Sequence, residues 1–465
     1  ILSIFFAVTD LASVVIRKLK AKSSTTTCVE DKVRDMSLAP RPQFHFAPAR
    51  NWMNDPNGLV FYKNKYHLFY QYNPLGDQWG NMSWGHATSS DLIIWQELPL
   101  AISYTETHGI FSGSVVVDYF NTSGFGSLEN PAMVAIFTHH QHDGLLQSQS
   151  LAYSTDDGIT WQTYEANPVL DLGMKDFRDP KVVWNNVNEA WVMSVVKPHE
   201  YTVSFYQSQD LKQWELLSEF TNKNGTDGVW ECPDLFPLAV DGDATNVKWV
   251  LFVSVNPGGV TGGSGTQYFI GDWNGREFIA DDLTMRWLDY GRDNYAGVTF
   301  TDAPSNRRIY LGWMNNWEYA KDIPANPARG SMTIPRELLL ATVDGKIALM
   351  QNPVVEILES TIGDEKFMIT PAAIKSGIRF TSADGKSFDV GYDPNTKEIY
   401  LDRSGAWYDI DSTSIHGAPF DANQKTFEIR VITDTGSIEL FAAGGRVAIT
   451  DLSAPGSSLW TATPF

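Results

Sequence analysis

The sequence predicts an all-β protein, made of a five-bladed β-propeller followed by a C-terminal β-sandwich. Short runs of β-branched and aromatic residues recur from about residue 42 to 337, separated by Gly, Asn, Asp and Pro clusters, which is the pattern of consecutive strands. An aspartate–tryptophan pair repeats at intervals that suit a propeller blade. Shorter alternating stretches after residue 357 are typical of a sandwich.

The N-terminal residues 1–41 are interpreted as an apolar segment followed by a polar linker. Residues 1–16 are mostly apolar, but Asp10 interrupts them and a basic run follows at 17–22. A secretory signal has its positive charge before the apolar run, and a membrane span needs about 20 apolar residues. Because neither pattern fits, two hypotheses stay open: the remnant of a signal or anchor, and an amphipathic helix packed on the body.

The propeller is predicted over residues 42–340 from a repeated pair in which a tryptophan follows an aspartate by four positions. The three pairs recur at intervals of 66 and 53 residues. They are Asp91 with Trp95, Asp157 with Trp161, and Asp210 with Trp214. We interpret them as structural, with the acid closing a turn and the indole packing between neighbouring blades. The length of the region accommodates about five such blades.

Residues 341–356 are expected to link the two domains, and residues 357–465 to form the β-sandwich. The stretches 425–431 and 437–441 alternate in polarity, as strands with one buried face do. No motif for chemistry is evident in this domain. The chain stops soon after Trp460, which leaves open whether a final strand is missing.

The composition restricts the partners of the protein. A net charge of −20, from 35 basic and 55 acidic residues, disfavours nucleic acid and anionic membrane surfaces. The two cysteines, Cys28 and Cys232, are not expected to pair. Three Asn-x-Ser/Thr sequons indicate a secreted glycoprotein. No stable membrane partner is expected, because the charge is acidic and no segment after residue 35 is long and apolar enough to span a bilayer. The acceptor positions are Asn81, Asn121 and Asn224.

Three motifs each place one carboxylate among turn formers and aromatic residues. Asp55 lies in the motif 52–58, Asp179 follows an arginine at 178, and Glu231 lies between a tryptophan and a cysteine. Taken singly, the first motif is better explained as a plain turn and the second as a surface ion pair before a turn. The combination of the three motifs favours catalysis instead. Glu231 is expected to be sheltered, as a proton donor requires.

The spacing of the three acids corresponds to about two blades and then about one blade. Equivalent positions of different blades face one central funnel, so the three side chains are expected to meet there. Three such acids are what carboxylate chemistry on a sugar requires. No spacing typical of metal ligands is found, so neither a metal nor a cofactor is expected.

The three motifs resemble those of glycoside hydrolase family 32, the invertases, exo-inulinases and fructan hydrolases. The similarity spans about residues 44–337 and is closest to the secreted fungal members. Further matching segments lie at residues 79–86, 111–114, 256–259, 289–296 and 312–319. The resemblance implies a five-bladed propeller followed by a sandwich. It also implies retaining hydrolysis that releases fructose from β-fructofuranosides such as sucrose and inulin-type fructans.

The resemblance also implies a role for each acid. Asp55 would attack the anomeric carbon, and Glu231 would protonate the departing oxygen and then deprotonate water. Asp179, with Arg178 beside it, would hold fructose hydroxyls and stabilise the transition state. In a retaining pair the two carboxyl groups lie about 5–5.5 Å apart. Further substrate-binding residues are implied at Asn54, Gln71, Trp79, Phe111, Ser112, Asn256 and Trp317.

Several questions stay open at this point. A fructosyltransferase uses the same acids but passes fructose to a sugar, and it is the main alternative. A non-catalytic sugar-binding relative is a remote alternative, because all three acids are present. Residues 154–161 fit the S-x-D-x-G-x-T-W box of sialidases, but no tyrosine nucleophile with an arginine cluster is evident. A homodimer is left open, and so is the preferred leaving group, since Ala328 replaces a tryptophan common in relatives.

Overall fold

The computed structural model describes residues 41–223, 228–325, 327–360, 363–408, 410, 413–423, 425–454 and 460–465. The predicted N-terminal segment, apart from Arg41, lies outside these residues, and so does the sequon position Asn224. Within the described part of the chain, 32 strands form six sheets, accompanied by one short α-helix. The all-β prediction is therefore confirmed.

The first three blades are antiparallel sheets whose strands follow one another in the chain. Blade one contains β1 (Asn51–Tyr62), β2 (Lys65–Tyr72), β3 (Ser83–Ser89) and β4 (Gln96–Glu97). Blade two contains β5 (His108–Val117), β6 (Met133–Gln141), β7 (Gln147–Ser154), β8 (Gln162–Thr163) and β9 (Leu170–Met174). Blade three contains β10 (Arg178–Asn185), β11 (Ala190–Lys197), β12 (Thr202–Ser208) and β13 (Glu215–Thr221).

The last two blades are joined edge to edge into one nine-stranded sheet. Blade four contains β14 (Val229–Val240), β15 (Asp243–Asn256), β16 (Gly265–Trp273), β17 (Phe278–Ala280) and β18 (Arg286–Trp287). Blade five contains β19 (Tyr295–Thr299), β20 (Ile309–Trp313), β22 (Arg336–Val343) and β23 (Lys346–Pro353). The two-residue strand β21 (Ala328–Arg329) leaves blade five and pairs in parallel with the start of β1.

The first strand of each blade lines a central channel. These inner strands, β1, β5, β10, β14 and β19, lie side by side, and β19 contacts β1 to close the ring. A bridge between Val60 and Thr301 adds to this closure. Inner strands of a propeller run in one direction. We call the opening where they begin the upper mouth and the opening where they end the lower mouth.

Two of the three repeated aspartate–tryptophan pairs, in blades one and three, have the structural role expected from the sequence. In blade one, Asp91 Oδ1 accepts the backbone N–H groups of Ile93 and Ile94, which closes a tight turn. The indole N–H of Trp95 donates to Leu92 O in the same turn. Satisfying these backbone groups within the turn lets the chain reverse without leaving buried donors unpaired.

In blade two the position of the acid was predicted wrongly by one residue. Asp156, not Asp157, accepts the backbone N–H of Thr160, because this turn is one residue longer. Asp157 instead forms an exposed ion pair with Lys63. The Trp161 ring of this turn meets a buried phenylalanine of blade one edge-on at 5.5 Å, so the indole does pack between blades.

The propeller extends beyond the expected boundary at residue 340. Strand β23 pairs with β22 along its whole length and forms the outermost strand of blade five. Residues 341–353, expected as part of a linker, therefore belong to the propeller. Helix α1 (Val355–Ser360) follows and leads into the second domain.

The C-terminal domain is a β-sandwich of two antiparallel sheets. One sheet contains β24 (Asp364–Ile369), β29 (Phe427–Asp434), β30 (Ser437–Ala442) and β31 (Val447–Leu452). The other contains β25 (Ser376–Ser382), β26 (Ser387–Asp393), β27 (Glu398–Asp402), β28 (Ile415–Pro419) and β32 (Trp460–Pro464). Apolar side chains from both sheets form one buried core between them. Short 3₁₀ turns occur at Pro198–Glu200, Pro304–Asn306, Ser404–Ala406 and Ala443–Gly445.

Buried ion pairs join the sandwich to the propeller. His45 lies between two acids of the sandwich, with Nδ1 2.8 Å from Asp434 Oδ2 and Nε2 2.8 Å from Glu439 Oε1. Arg336 of β22 bridges Glu439 and Asp289. Burial alone would lower the pKa of His45, but the hydrogen bonds and charges of its two partners outweigh burial and raise that pKa to about 9. The imidazole is therefore held as a cation between the domains.

Candidate active site

The residues singled out by the three motifs meet at the upper mouth. Asp55 is the fifth residue of β1, Arg178 and Asp179 begin β10, and Glu231 is the third residue of β14. Each comes from a different blade, and each lies near the start of an inner strand. The expectation that blade spacing would gather the three acids is therefore met in the structure.

Asp55 is half-buried and held by two neutral donors. Ser112 Oγ donates to Oδ2 at 2.7 Å, and the side-chain amide of Asn54 donates to Oδ1 at 2.9 Å. Burial raises the pKa of Asp55 above its ordinary value, and the charge of Glu231 adds to the rise, while these two hydrogen bonds oppose it. Both carboxylate oxygens are thus oriented by side chains.

Both carboxylate oxygens of Glu231 accept hydrogen bonds from neighbouring side chains. Arg178 donates from Nε to Glu231 Oε1 at 3.1 Å, and its Nη2 lies 3.0 Å from the same oxygen. The hydroxyl of Tyr295 donates to Oε2. The neighbours Trp230 and Cys232 are both buried, whereas the Glu231 side chain is 20% exposed. The expected shelter is present, but one part of the carboxyl group remains open to the mouth.

Asp179 is the most enclosed of the three acids, at 6% exposure. Its Oδ2 accepts the backbone N–H of Cys232 at 2.9 Å, and its own N–H donates to Thr138 Oγ1 at 2.9 Å. The backbone is left-handed, with φ +64°, which is costly for a non-glycine residue. Burial raises the pKa of Asp179 to about 7; the charge of Arg178 opposes this, and the other two acids reinforce it.

Cys232 connects the three acids, a role that the sequence did not reveal. Its thiol lies 3.7 Å from Asp55 Oδ2 and 3.7 Å from Asp179 Oδ2, and it directly follows Glu231 in the chain. Burial and the three nearby carboxyl groups raise its pKa well above the ordinary value. The side chain is therefore a neutral thiol between carboxylates. Cys28, with which no pairing was expected, lies outside the described residues.

Tyr295 and Gln147 also belong to the site and were missed. Tyr295 begins β19 and is buried. Gln147 accepts from Arg178 Nη1 at 3.3 Å, which helps to fix the guanidinium. Tyr295 lies inside the segment 289–296 that resembles the family, so a signal existed for it. For Gln147 we find no sequence signal.

The polar residues nominated for binding take two kinds of position. Asn54 and Ser112 contact Asp55 directly, as described above. Gln71 is buried in β2 and donates to the backbone O of Ile110, beside the upper mouth. Asn256 accepts from Ser264 Oγ at 3.1 Å, and Ser264 Oγ also accepts the backbone N–H of Trp317. Asn256 and Trp317 are therefore linked to each other.

The nominated aromatic residues differ in exposure. Trp79 is 50% exposed and meets Phe111 edge-on at 6.0 Å, so it is free to cover a ring from outside. Phe111 stacks on His140 at 4.4 Å. Trp317 is partly buried against Trp52, which in turn donates its indole N–H to Asn54 at 2.7 Å. An indole layer thus supports the residue that orients Asp55.

Other expected features are placed as follows. Asn81 is exposed and Asn121 is half-buried. Among the described residues, no cluster of three or more His, Cys, Asp or Glu side chains is arranged to hold a metal ion. The part of the chain that the structure covers also has no helix of the length and apolarity that crossing a membrane demands.

Comparison with known proteins agrees with this geometry. Residues 45–353 match the family described as "Glycosyl hydrolases family 32 N-terminal domain", and residues 363–462 match "Glycosyl hydrolases family 32 C terminal". The chain belongs to glycoside hydrolase family 32. The family 32 assignment covers both domains, so the resemblance inferred from the motifs is confirmed.

Individual relatives support the same assignment. A levanase from Bacillus subtilis is 42% identical, with 90% of this chain and 67% of the levanase aligned. The extracellular exo-inulinase inuE of Aspergillus niger is 36% identical, with 88% of each chain aligned. The crystal structure of the exo-inulinase from Aspergillus awamori superposes with a TM-score of 0.81 at 36% identity and covers 90% of this chain and 93% of its own. The family 32 chain is thus a glycoside hydrolase with the propeller and sandwich that were predicted.

Proposed function

We propose that this family 32 hydrolase releases fructose from the non-reducing ends of β-fructofuranosides, with Asp55, Glu231 and Asp179 as its catalytic acids. The observation that supports this most directly is the meeting of three carboxyl groups from three blades at one mouth. The named relatives are a levanase and exo-inulinases, which supports fructans as substrates. Sucrose is the smallest substrate of this class.

The proposed reaction has two steps. Asp55 Oδ attacks the anomeric carbon while Glu231 gives its proton to the departing glycosidic oxygen, leaving a covalent fructosyl-enzyme. Glu231 then takes a proton from water, and the resulting hydroxide attacks the same carbon and frees Asp55. Attack from opposite faces in the two steps retains the configuration.

The surroundings of each acid support this division of roles. Asp55 receives hydrogen bonds from two neutral donors, which orient its oxygens for attack without neutralising their charge. The Glu231 side chain is 20% exposed, so it can reach a leaving oxygen and then a water. Asp179, fixed by Cys232 and flanked by Arg178, is suited to hold fructose hydroxyls. Hydrogen bonds of this kind that strengthen in the transition state raise the rate.

Secretion is part of the proposal. The exo-inulinase relatives are named extracellular enzymes. Asn81 is exposed and would accept a glycan, as would Asn121 and Asn224 if their sequons are used in a secretory pathway. A substrate built of neutral sugars also fits a protein of net charge −20, because it suffers no repulsion.

The proposal is tested by incubating the purified protein with sucrose and separately with inulin and measuring free glucose and free fructose. Equal amounts of both from sucrose, and fructose from inulin, are expected. Asp55→Ala should release neither sugar. Asp157→Ala, which removes an exposed acid of the same kind, serves as the matched control and should keep full activity. Glucose in clear excess over fructose would instead indicate transfer to a sugar acceptor, and no product would refute the proposal.

A further inference from the structure

The lower mouth of the central channel contains a second cavity that the proposed reaction does not use. Its volume is about 490 Å³, within the range of small-molecule sites. It is lined by the ends of inner strands from blades two and three, by the middle of β14, and by the segment after β19. Asp179 and Glu231 lie at the other end of β10 and β14, and Asp55 lies near the start of β1, which does not line this cavity.

A layer of buried polar groups separates the two cavities. Lys181 Nζ lies 3.7 Å from Asp234 Oδ2 and donates to Thr299 O, and all three residues are buried. Lys181 also lines the small space beneath Asp179. A molecule at the lower mouth therefore does not occupy the position of the scissile bond.

The wall of this lower cavity is aromatic. Trp184 of β10 lies between two other rings, with centroids 5.0 Å from Phe120 and 5.0 Å from Trp191. Phe120 is 59% exposed at the rim, and Tyr119 beside it is 45% exposed. Exposed neighbouring rings on a concave surface are suited to cover the apolar face of a sugar ring.

Polar groups in the cavity lack partners of their own. Asn185, at 8% exposure, accepts the N–H of Val187 through Oδ1, but its Nδ2 has no hydrogen-bond partner. Arg308 donates from Nη1 within blade five, while its Nε has no partner. Asp302 also lines the cavity, and the charge of Arg308 acts on it. Buried donors of this kind normally have an acceptor, so the wall of the cavity has unused hydrogen-bonding capacity.

The charged side chains that line the cavity indicate which kind of polar ligand it favours. One carboxylate and one guanidinium cancel, which favours a neutral ligand over an anion or a cation. Hydroxyl groups both accept and donate, so they can pair with the exposed Asp302 carboxylate and with the polar side chains of the lining residues Asn185 and Arg308. An apolar ligand would leave these groups unpaired. We propose that the lower mouth is a second carbohydrate-binding site, which holds a neutral fructan oligosaccharide without cleaving it.

The choice of a fructan among neutral sugars rests on the proposed function. A polymer held at the lower mouth keeps the enzyme on the same material that it degrades from the upper mouth. Binding of the polymer is then partly intramolecular, which raises its effective concentration at the catalytic site. The benefit applies to long fructans and not to sucrose, which is too short to span both mouths.

The test uses the full chain with Asp55→Ala, titrated with 1-kestose in a calorimeter. Two binding events are expected. Phe120→Ala, added to this variant, should weaken one binding event about tenfold. Asn185→Asp should do the same, because it keeps the side-chain oxygen that accepts from Val187 but replaces the side-chain NH₂ donor. Phe465→Ala removes a ring of similar exposure, 47%, on the sandwich and should change neither event.

In the otherwise wild-type enzyme, Phe120→Ala should raise KM for inulin several-fold and leave sucrose kinetics unchanged. A single binding event, or a second event insensitive to both lower-mouth substitutions, would overturn the inference. So would an equal loss in the Phe465→Ala control. Failure of the proposed function is seen separately, as absence of fructose release from 1-kestose by the wild-type enzyme.

Discussion

Cys232 donates its backbone N–H to Asp179 Oδ2 across 2.9 Å, from a left-handed backbone with φ +46°. The same residue places its thiol against Asp55 and follows Glu231 in the chain. One small side chain is therefore in position to influence all three carboxyl groups. Its thiol contacts Asp55 and Asp179, so a change in its polarity is expected to affect both carboxyl groups.

The thiol of Cys232 is expected to tune the acid limb of the pH profile. In Cys232→Ser a stronger donor faces the carboxylates, which stabilises their ionised form and should move the acid limb of kcat/KM on sucrose to lower pH. Cys232→Ala removes the donor and should move it to higher pH. The measurement is kcat/KM across the pH range, with thermal unfolding to confirm folding. Shifts of both variants in the same direction would contradict this assignment.

The hydroxyl of Tyr295 is expected to matter for proton transfer by Glu231. Tyr295→Phe keeps the buried ring but removes the donor to Glu231 Oε2, so kcat on sucrose should fall about 10- to 100-fold. A substrate whose leaving group needs no proton should be affected less. Tyr153→Phe, which removes an exposed hydroxyl bonded to Gln162, is the matched control and should behave as wild type. Equal losses with both substrates would argue against an effect through Glu231.

The ionised Asp179 side chain is expected to lower the free energy of unfolding at neutral and higher pH. Its pKa is raised to about 7 in the folded protein, above the ordinary value of 3.8. The folded state therefore binds an extra proton between these values, and its stability decreases as pH rises through that window. Asp179→Asn removes this dependence, so the variant should gain on the order of a few kcal/mol over wild type between pH 4 and pH 8.

Thermal unfolding of wild type and Asp179→Asn at the two pH values measures this gain. The variant should also lose turnover, because it cannot hold the fructose hydroxyls as a carboxylate does. Asp157→Asn provides the exposed control and should show no pH-dependent gain. If Asp179→Asn differs from wild type in stability by the same amount at pH 4 and at pH 8, burial does not raise the pKa of Asp179.

His45 is expected to stabilise the contact between the domains up to a higher pH, and its contribution also decreases as pH rises. Its pKa is raised to about 9 from 6.5, so its contribution is complete below pH 6.5 and is lost as pH rises through 9. The stabilisation relative to His45→Gln should be about 3 kcal/mol at pH 6 and small at pH 10. Denaturant unfolding at both pH values measures it, with the exposed His142→Gln as control. A difference that does not depend on pH would show that His45 is not charged.

The sequence predicted much of the site because each acid lies in a distinctive local motif. Asp55, Asp179 and Glu231 are surrounded by prolines, glycines and aromatic residues, and blade spacing explains how they meet. Ser112 and Asn54 followed from the resemblance. Local chemistry and a regular repeat are features that a single sequence records directly.

The features that the sequence did not predict depend on contacts between blades, on backbone conformation and on turn length. Tyr295 contacts Glu231 from another blade. Cys232 contacts the acids because its backbone is left-handed, and a cysteine in the sequence does not predict that conformation. The error at Asp157 came from one extra residue in a turn. The misplaced linker had a signal in Asp344–Gly345, a favoured hairpin turn between β22 and β23 that predicts a strand on either side.

The pairing of β21 with β1 helps to close the ring, and catalytic activity depends on that closure. The three catalytic acids come from three different blades, and Tyr295 of blade five donates to Glu231, so the site is complete only when the last blade has met the first. Hydrolytic activity therefore reports completion of the whole circle, and a chain with four well-formed blades but an open seam would be folded locally and inert.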